Sequence, residues 1–368
     1  MSQGFVVNRV PLHDVHVKLG AKLVDFAGWE MPLMYRGIIE EHLHTRSGCS
    51  VFDVSHMGRL RLTGGGVAAL LQRVCTRNLD GIAPGVSRYS HMCREDGGIL
   101  DDVIVSRYES EWLVVCNASN REKILAWLNR HAAGHDVSVT DLTFDTAMLA
   151  VQGPRTVEIA ERLVPLDLKS LKRYHFVSGA YMGMRYSIFR SGYTGEDGFE
   201  AIVPAGVVKM VSKALFGSNE QATSHEVKPA GLGARDTLRM EAAMPLYGHE
   251  LTEQVDSLTA GQAWCVDLKK DFIGAEAMRL SETGLPRKLV GLELEGRRIA
   301  RQGARLLLGD RAVGEVTSGT LSPTLGKSIA MAFLASEHAA AGSAINVEIA
   351  GKPTAARVVK LPFYKRAK

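Results

Sequence analysis

The sequence predicts an α+β protein of two or three domains that ends in an antiparallel barrel or sandwich. Three observations lead there. At 368 residues the chain exceeds what one ordinary hydrophobic core supports. Between residues 51 and 142, strand-like and helix-like patterns mix without the regular alternation of a βαβ protein. Beyond Gly284-Leu285-Pro286, the clearest linker, only short strand-like runs remain.

Taken in order, Leu23–Trp29 reads as a strand ending in a turn, and Ile38–Ser47 as a short amphipathic helix. His42 and His44 are two apart, so they share no helical face and read as surface or capping residues rather than ligands. Val51–Gly58 alternates and leads into a strand over Arg59–Thr63. Gly64-Gly65-Gly66 is a hinge-like turn that lacks the Lys-Ser/Thr of a phosphate loop, and no GxGxxG occurs. A helix is expected over Val67–Cys75, a strand over Ser87–Cys93, a second over Trp112–Cys116, and a helix over Arg121–His131. Met148–Pro154 is a strand stopped by Gly-Pro, Thr156–Leu163 a helix, and Met184–Arg190 a strand. That strand enters an acidic, glycine-rich loop over residues 191–200, whose spacing is not that of an EF-hand. Val227–Ala242 reads as the longest helix, with Pro229 in its first turn. Glu276–Leu280 is a short helix. The barrel strands are expected at Leu289–Leu294, Arg305–Leu308, Ala312–Thr317, Ile329–Phe333, Ala344–Ile349 and Ala355–Leu361.

Composition narrows the function. Apolar residues make up 46% and charged residues 23%, as in a soluble globular protein. No apolar run reaches the ~18 residues a membrane span needs. No secretory or transit segment is visible, so a cytoplasmic location is expected. The five cysteines never form a CxxC pair, and the twelve histidines include no HExxH, which argues against a metal centre and a disulfide framework. A formal charge of +4 without a basic aromatic tract argues against nucleic acid. It suits an anionic small molecule or an acidic protein partner.

The chemistry gathers at Gly97-Gly98-Ile99-Leu100-Asp101-Asp102-Val103-Ile104-Val105. Two glycines mark a turn, and the aspartates sit where it becomes a strand, so their side chains must point to opposite faces. Such an acidic turn can be plain solvated loop. A carboxylate that instead enters an apolar strand has a perturbed pKa and becomes an acid, a base or a cation partner. Arg235 and Arg239, four apart on one helical face, either solvate that face or grip a carboxylate or phosphate.

Seven motifs then occur in order: Asp53-Val54-Ser55-His56-Met57, Arg88-Tyr89-Ser90, Gly97–Asp102, Leu149–Pro154, Gly192–Glu200, Ala234–Arg239 and Gly314–Gly319. Together, over about residues 9–364, they resemble the aminomethyltransferase (T-protein) family of the glycine cleavage system. The resemblance implies a three-domain cloverleaf of antiparallel sheets with helices, plus a C-terminal β-barrel, around a central folate-binding hole. It implies a first domain from residues 1–50 with 143–284, an inserted domain over 51–142, and a barrel domain over 285–368. It implies tetrahydrofolate as one-carbon acceptor and the lipoylated H-protein as partner. The methylene of an aminomethyl group on the lipoyl arm would pass to tetrahydrofolate, with release of ammonia.

Residue by residue, the resemblance implies that Asp102 is the catalytic carboxylate and that Met57, Tyr89, Val115, Asn117, Glu200, Arg235, Trp264 and Arg301 are folate-binding positions. A carboxylate such as Glu200 can accept two parallel hydrogen bonds from the guanidine-like edge of a pterin. Tyr89, Trp264 and Met57 offer flat or polarisable walls. Arg235 would balance the buried carboxylate. One stretch departs from the family, which usually has Pro-x-Glu where Ser257-Leu258-Thr259 stands before Ala260-Gly261. That lost carboxylate leaves a tetrahydrofolate-dependent demethylase of a small sulfonium or amine donor as an alternative. A non-catalytic folate-binding protein is a third, though a mere binder has no use for Asp102.

Overall fold

Alternating apolar residues bring Val86–Cys93, Ile99–Arg107, Trp112–Cys116, Gly58–Thr63 and Ser138–Asp141 into one five-stranded sheet, in that order. The computed structural model describes residues 7–163, 166–181, 183–216, 226–282 and 284–366. One face of this sheet buries Leu60, Leu62, Val103, Val105 and Val114 against Leu71, Val74, Ile124 and Leu128. Those partners come from the helices Val67–Val74 and Arg121–Ala132. The other face turns Leu113 and Val115 toward Phe52, Met148, Ala150, Phe176 and Phe189. Because side chains alternate with period two, a slip of one residue in this sheet would exchange its two faces.

Those last five residues belong to a six-stranded sheet, in the order Phe176–Tyr181, Met184–Phe189, Gly198–Pro204, Thr146–Gln152, Cys49–Asp53 and Val227–Pro229. The helix Leu232–Glu241 seals the gap between the two sheets with Ala234 and Leu238. A three-stranded sheet of Asn8–Arg9, Trp29–Met34 and Lys22–Phe26 packs beside it. The C-terminal part is a closed barrel rather than a sandwich, in the strand order 287–294, 328–335, 311–321, 305–308, 344–349 and 352–359. Closure removes free strand edges, and Leu292, Val316, Leu334, Val347 and Val358 fill the interior.

The structure corrects two expectations. Val227–Ala242 is not one helix: Val227–Pro229 is a strand, parallel to Cys49–Val51, and the helix starts at Leu232. Proline lacks an amide donor, and the strand lies at the edge of its sheet, where no ladder bond is lost. Arg121–Ala132 is therefore the longer helix, with 12 residues against 10. Nor is His42 a surface residue. Its ring is buried, with Nδ1 2.7 Å from Thr237 Oγ1 and Nε2 2.8 Å from Thr324 Oγ1.

Candidate active site

The two aspartates diverge as strand alternation demands. Asp101 is fully buried and accepts hydrogen bonds from Asn117 N (2.9 Å), Asn117 Nδ2 (2.8 Å) and Asn120 Nδ2 (2.6 Å). Asp102 faces a cavity of about 890 Å³. Its Oδ1 accepts from Asn117 Nδ2 at 2.7 Å and its Oδ2 from the Tyr89 hydroxyl at 3.1 Å. The Asn117 amide thus holds both carboxylates from the end of the strand Trp112–Cys116. Burial raises both carboxyl groups above the usual carboxylate range, and the Asp102 charge raises Asp101 further. Two adjacent carboxylates also resist ionising together, so the pair readily retains a proton near neutrality.

Sheet register explains the wall around Asp102. His91 pairs with Asp102, Tyr89 with Ile104 and Ile104 with Val115, which sets these side chains on one face. Trp264, in a single 3₁₀ turn, stacks on Tyr89 with ring centres 5.2 Å apart. Met57 and His56 lie in a loop clamped by the buried Arg59, which donates to Ser55 O at 3.1 Å and Met57 O at 2.6 Å. Opposite, Glu200 projects from the strand Gly198–Pro204 and accepts a short hydrogen bond from the Ser191 hydroxyl. Arg235, from the helix Leu232–Glu241, stands 4.7 Å over the Tyr193 ring.

Eight of the nine expected site residues therefore line one cavity: Asp102, Met57, Tyr89, Val115, Asn117, Glu200, Arg235 and Trp264. The ninth, Arg301, is exposed in a turn of the barrel and is absent from that lining. Arg239 also faces the cavity, but Glu250 Oε2 at 3.0 Å, Asp236 and Ser318 engage its guanidinium. The expected contact between Glu200 and Arg235 does not form: the two share the cavity without an ion pair among the described residues. Burial pulls the Arg235 pKa down, with the Glu200 charge opposing, and Arg235 Nη1 is buried without a hydrogen-bond partner. His56 Nδ1 is likewise unpartnered, and burial, with Arg235 nearby, lowers its pKa to about 3. His56 and Tyr193 stood inside quoted motifs, yet nothing in their spacing separated them from packing residues.

The GCVT N-terminal domain model matches residues 12–270, and the glycine cleavage T-protein C-terminal barrel model matches residues 287–365. The chain belongs to the glycine cleavage T-protein family. It is 44% identical over 365 residues to an aminomethyltransferase of Moorella thermoacetica, covering 98% of this chain and 99% of that protein. A Streptomyces avermitilis aminomethyltransferase is 45% identical over 365 residues, covering 97% of each. Among solved T-protein structures, the glycine cleavage system aminomethyltransferase T of Bartonella henselae superposes with a TM-score of 0.91. It shares 34% identity, and 98% of each chain is covered.

Proposed function

We propose that the cavity holds tetrahydrofolate as one-carbon acceptor, with its pterin at the Glu200–Arg235 end and Asp102 handling protons at the other. The chain is an aminomethyltransferase of glycine cleavage: the methylene of an aminomethyl group passes to tetrahydrofolate and ammonia leaves. The observation that carries this reading is that Asp102, Glu200 and Arg235 open onto one cavity among the described residues.

The residues present suit a pterin. Glu200 can accept two parallel donors, while Tyr89 and Trp264 form a stacked aromatic wall. Arg235 Nη1 and His56 Nδ1 are buried polar atoms in want of a partner, and leaving such atoms unpaired costs roughly 1–3 kcal/mol each. A heteroaromatic ligand between Glu200 and Arg235 would satisfy them. Asp102, fixed by Tyr89 and Asn117, can hold a proton or release one at the reacting amines. General acid–base help of this kind is worth about 10²–10⁴ in rate.

The donor is proposed to be the aminomethyl-lipoyl arm of the H-protein. The residues at the family departure support this over the demethylase. The Thr259 hydroxyl donates to Asp256 at 2.7 Å and Ser257 meets His91 at 2.7 Å, so neither is turned to a new methyl donor. The domain division follows the same reading: 1–50 with 143–284, 51–142, and 285–368. Among the described residues no helix is long and apolar enough to cross a membrane.

The test supplies lipoylated H-protein, glycine decarboxylase and tetrahydrofolate and follows ammonia. Release that depends on both folate and lipoate is expected. No release, together with turnover of a methyl-sulfonium donor, would overturn the reading.

A further inference from the structure

Behind the cavity wall, the Asp102–Tyr89 hydrogen bond continues inward. Tyr89 Oη is 3.2 Å from His91 Nε2, and His91 Nδ1 is 2.7 Å from Ser257 Oγ. His91 and Ser257 are fully buried. We propose that Ser257 and His91 are positioning residues that, through Tyr89, form a reversible hydrogen-bond string serving Asp102 in both its ionised and its protonated state. The proposal rests on Asp102 being the group that changes protonation during transfer.

The donor inventory enforces the reversal. Each of Ser257, His91 and Tyr89 carries one polar proton; burial keeps the imidazole neutral and the phenol protonated. When Asp102 is ionised it can only accept. Tyr89 then donates to Asp102, His91 Nε2–H donates to Tyr89, and the Ser257 hydroxyl donates to His91 Nδ1. When Asp102 is protonated at Oδ2, it donates to Tyr89 Oη. Tyr89 now donates to His91 Nε2, and Nδ1–H donates to Ser257 Oγ. One proton is gained at Asp102, the imidazole proton moves from Nε2 to Nδ1, and both hydroxyls rotate. Only an end group that can both donate and accept satisfies the two arrangements, and serine is such a group.

Other titratable groups face the string. Cys265 Sγ lies 3.9 Å from His91 Nε2, and the Cys93 thiol is within hydrogen-bond influence of Ser257. The Asp102 charge acts on Asp101 and also reaches Tyr193. Burial raises the pKa of both thiols and of Tyr193, so these three stay neutral. Asp101, whose pKa burial and the Asp102 charge also raise, meets three N–H donors that offer no acceptor to a proton. It makes no hydrogen bond to Tyr89, His91 or Ser257 among the described residues, so reversal of the string reports the charge of Asp102.

The experiment reads the His91 tautomer from its ring ¹⁵N shifts, in the full chain without folate or donor, across about pH 5 to 8. The native chain is expected to change from Nε2–H to Nδ1–H as pH falls, at the midpoint of the Asp102 carboxyl signal. Ser257→Ala leaves Nδ1–H without an acceptor, which is costlier than an unpaired ring lone pair. It is therefore expected to hold the Nε2–H tautomer, favour ionised Asp102 and lower that midpoint by about one pH unit, a tenfold change. The pH profile of transfer should shift with it, and Ser257→Thr should restore both. A native His91 that keeps one tautomer throughout, or Ala and Thr variants that behave alike, would overturn the string. Because the tautomer is read without substrates, that failure is distinct from a failure of folate-dependent transfer.

Discussion

Asp102 and Glu200 line the same cavity, and their substitutions are expected to separate chemistry from binding. Asp102→Asn keeps the shape and the Asn117 contact site but removes the proposed proton carrier. Folate affinity by titration should stay within a few-fold while transfer falls by about 10²–10⁴. An equal loss of both would make Asp102 a binding residue. Glu200→Ala removes the acceptor facing Arg235, and folate affinity should weaken by roughly 2–5 kcal/mol; unchanged affinity would reject the pterin contact. That these residues share one cavity was legible because they sit in motifs with few alternatives, such as the paired aspartates after Gly97-Gly98. Arg301 was placed by motif register alone, and a turn carries it away from the cavity. The His91–Ser257 contact was illegible because the partners lie 166 residues apart and obey no local periodicity.

The strand Ile99–Arg107 depends on how tightly the preceding turn is drawn in. Gly97 has φ +86°, and a Cβ on Gly98 would lie 2.1 Å from Glu253 O. Gly98→Ala must push the chain off that carbonyl, at about 1–3 kcal/mol for overpacking. Denaturant unfolding should register that loss, and transfer should fall further than folate affinity, because the displaced strand carries Asp101 and Asp102. Equal stability would show that the turn has slack. Strands bounded by glycine were easy to read, since the punctuation and the two-residue period agree. The helix expected over Val227–Ala242 failed for a different reason. Val227 can serve strand or helix, and only its parallel neighbour Cys49–Val51 decides between them.

The separate sheets are held to one another by buried charge. Glu241 takes Arg46 Nη2 at 2.8 Å and His42 Nε2 at 3.2 Å from one helix, and Ser322 and Thr324 from the barrel end. Burial opposes its ionisation, but His42, Ser322 and Arg46 outweigh it and lower the pKa to about 2. A carboxylate whose folded pKa lies below its unfolded value of 4.5 stabilises the fold above that pH. That contribution is lost as pH falls toward 2. Glu241→Ala should cost ~3–5 kcal/mol, as for one half of a broken buried pair. Glu241→Gln should flatten the acid limb of a stability–pH curve measured by chemical unfolding. An unaltered acid limb would assign that loss to other carboxylates. At this scale the barrel itself was legible from its strand spacing, whereas its attachment was not, because His42 and Glu241 lie on helices whose local pattern allows solvent-facing polar residues.

Arg235, Arg239 and Glu241 follow one another within two turns of a single helix, the first aimed into the cavity and the others anchored to the barrel and its neighbours. Occupancy and assembly are thereby thermodynamically linked: whatever steadies Arg235 also steadies the seam a few ångströms further along. Folate should slow amide-hydrogen exchange in barrel residues near Ser318 and Ser322, which no ligand atom needs to reach.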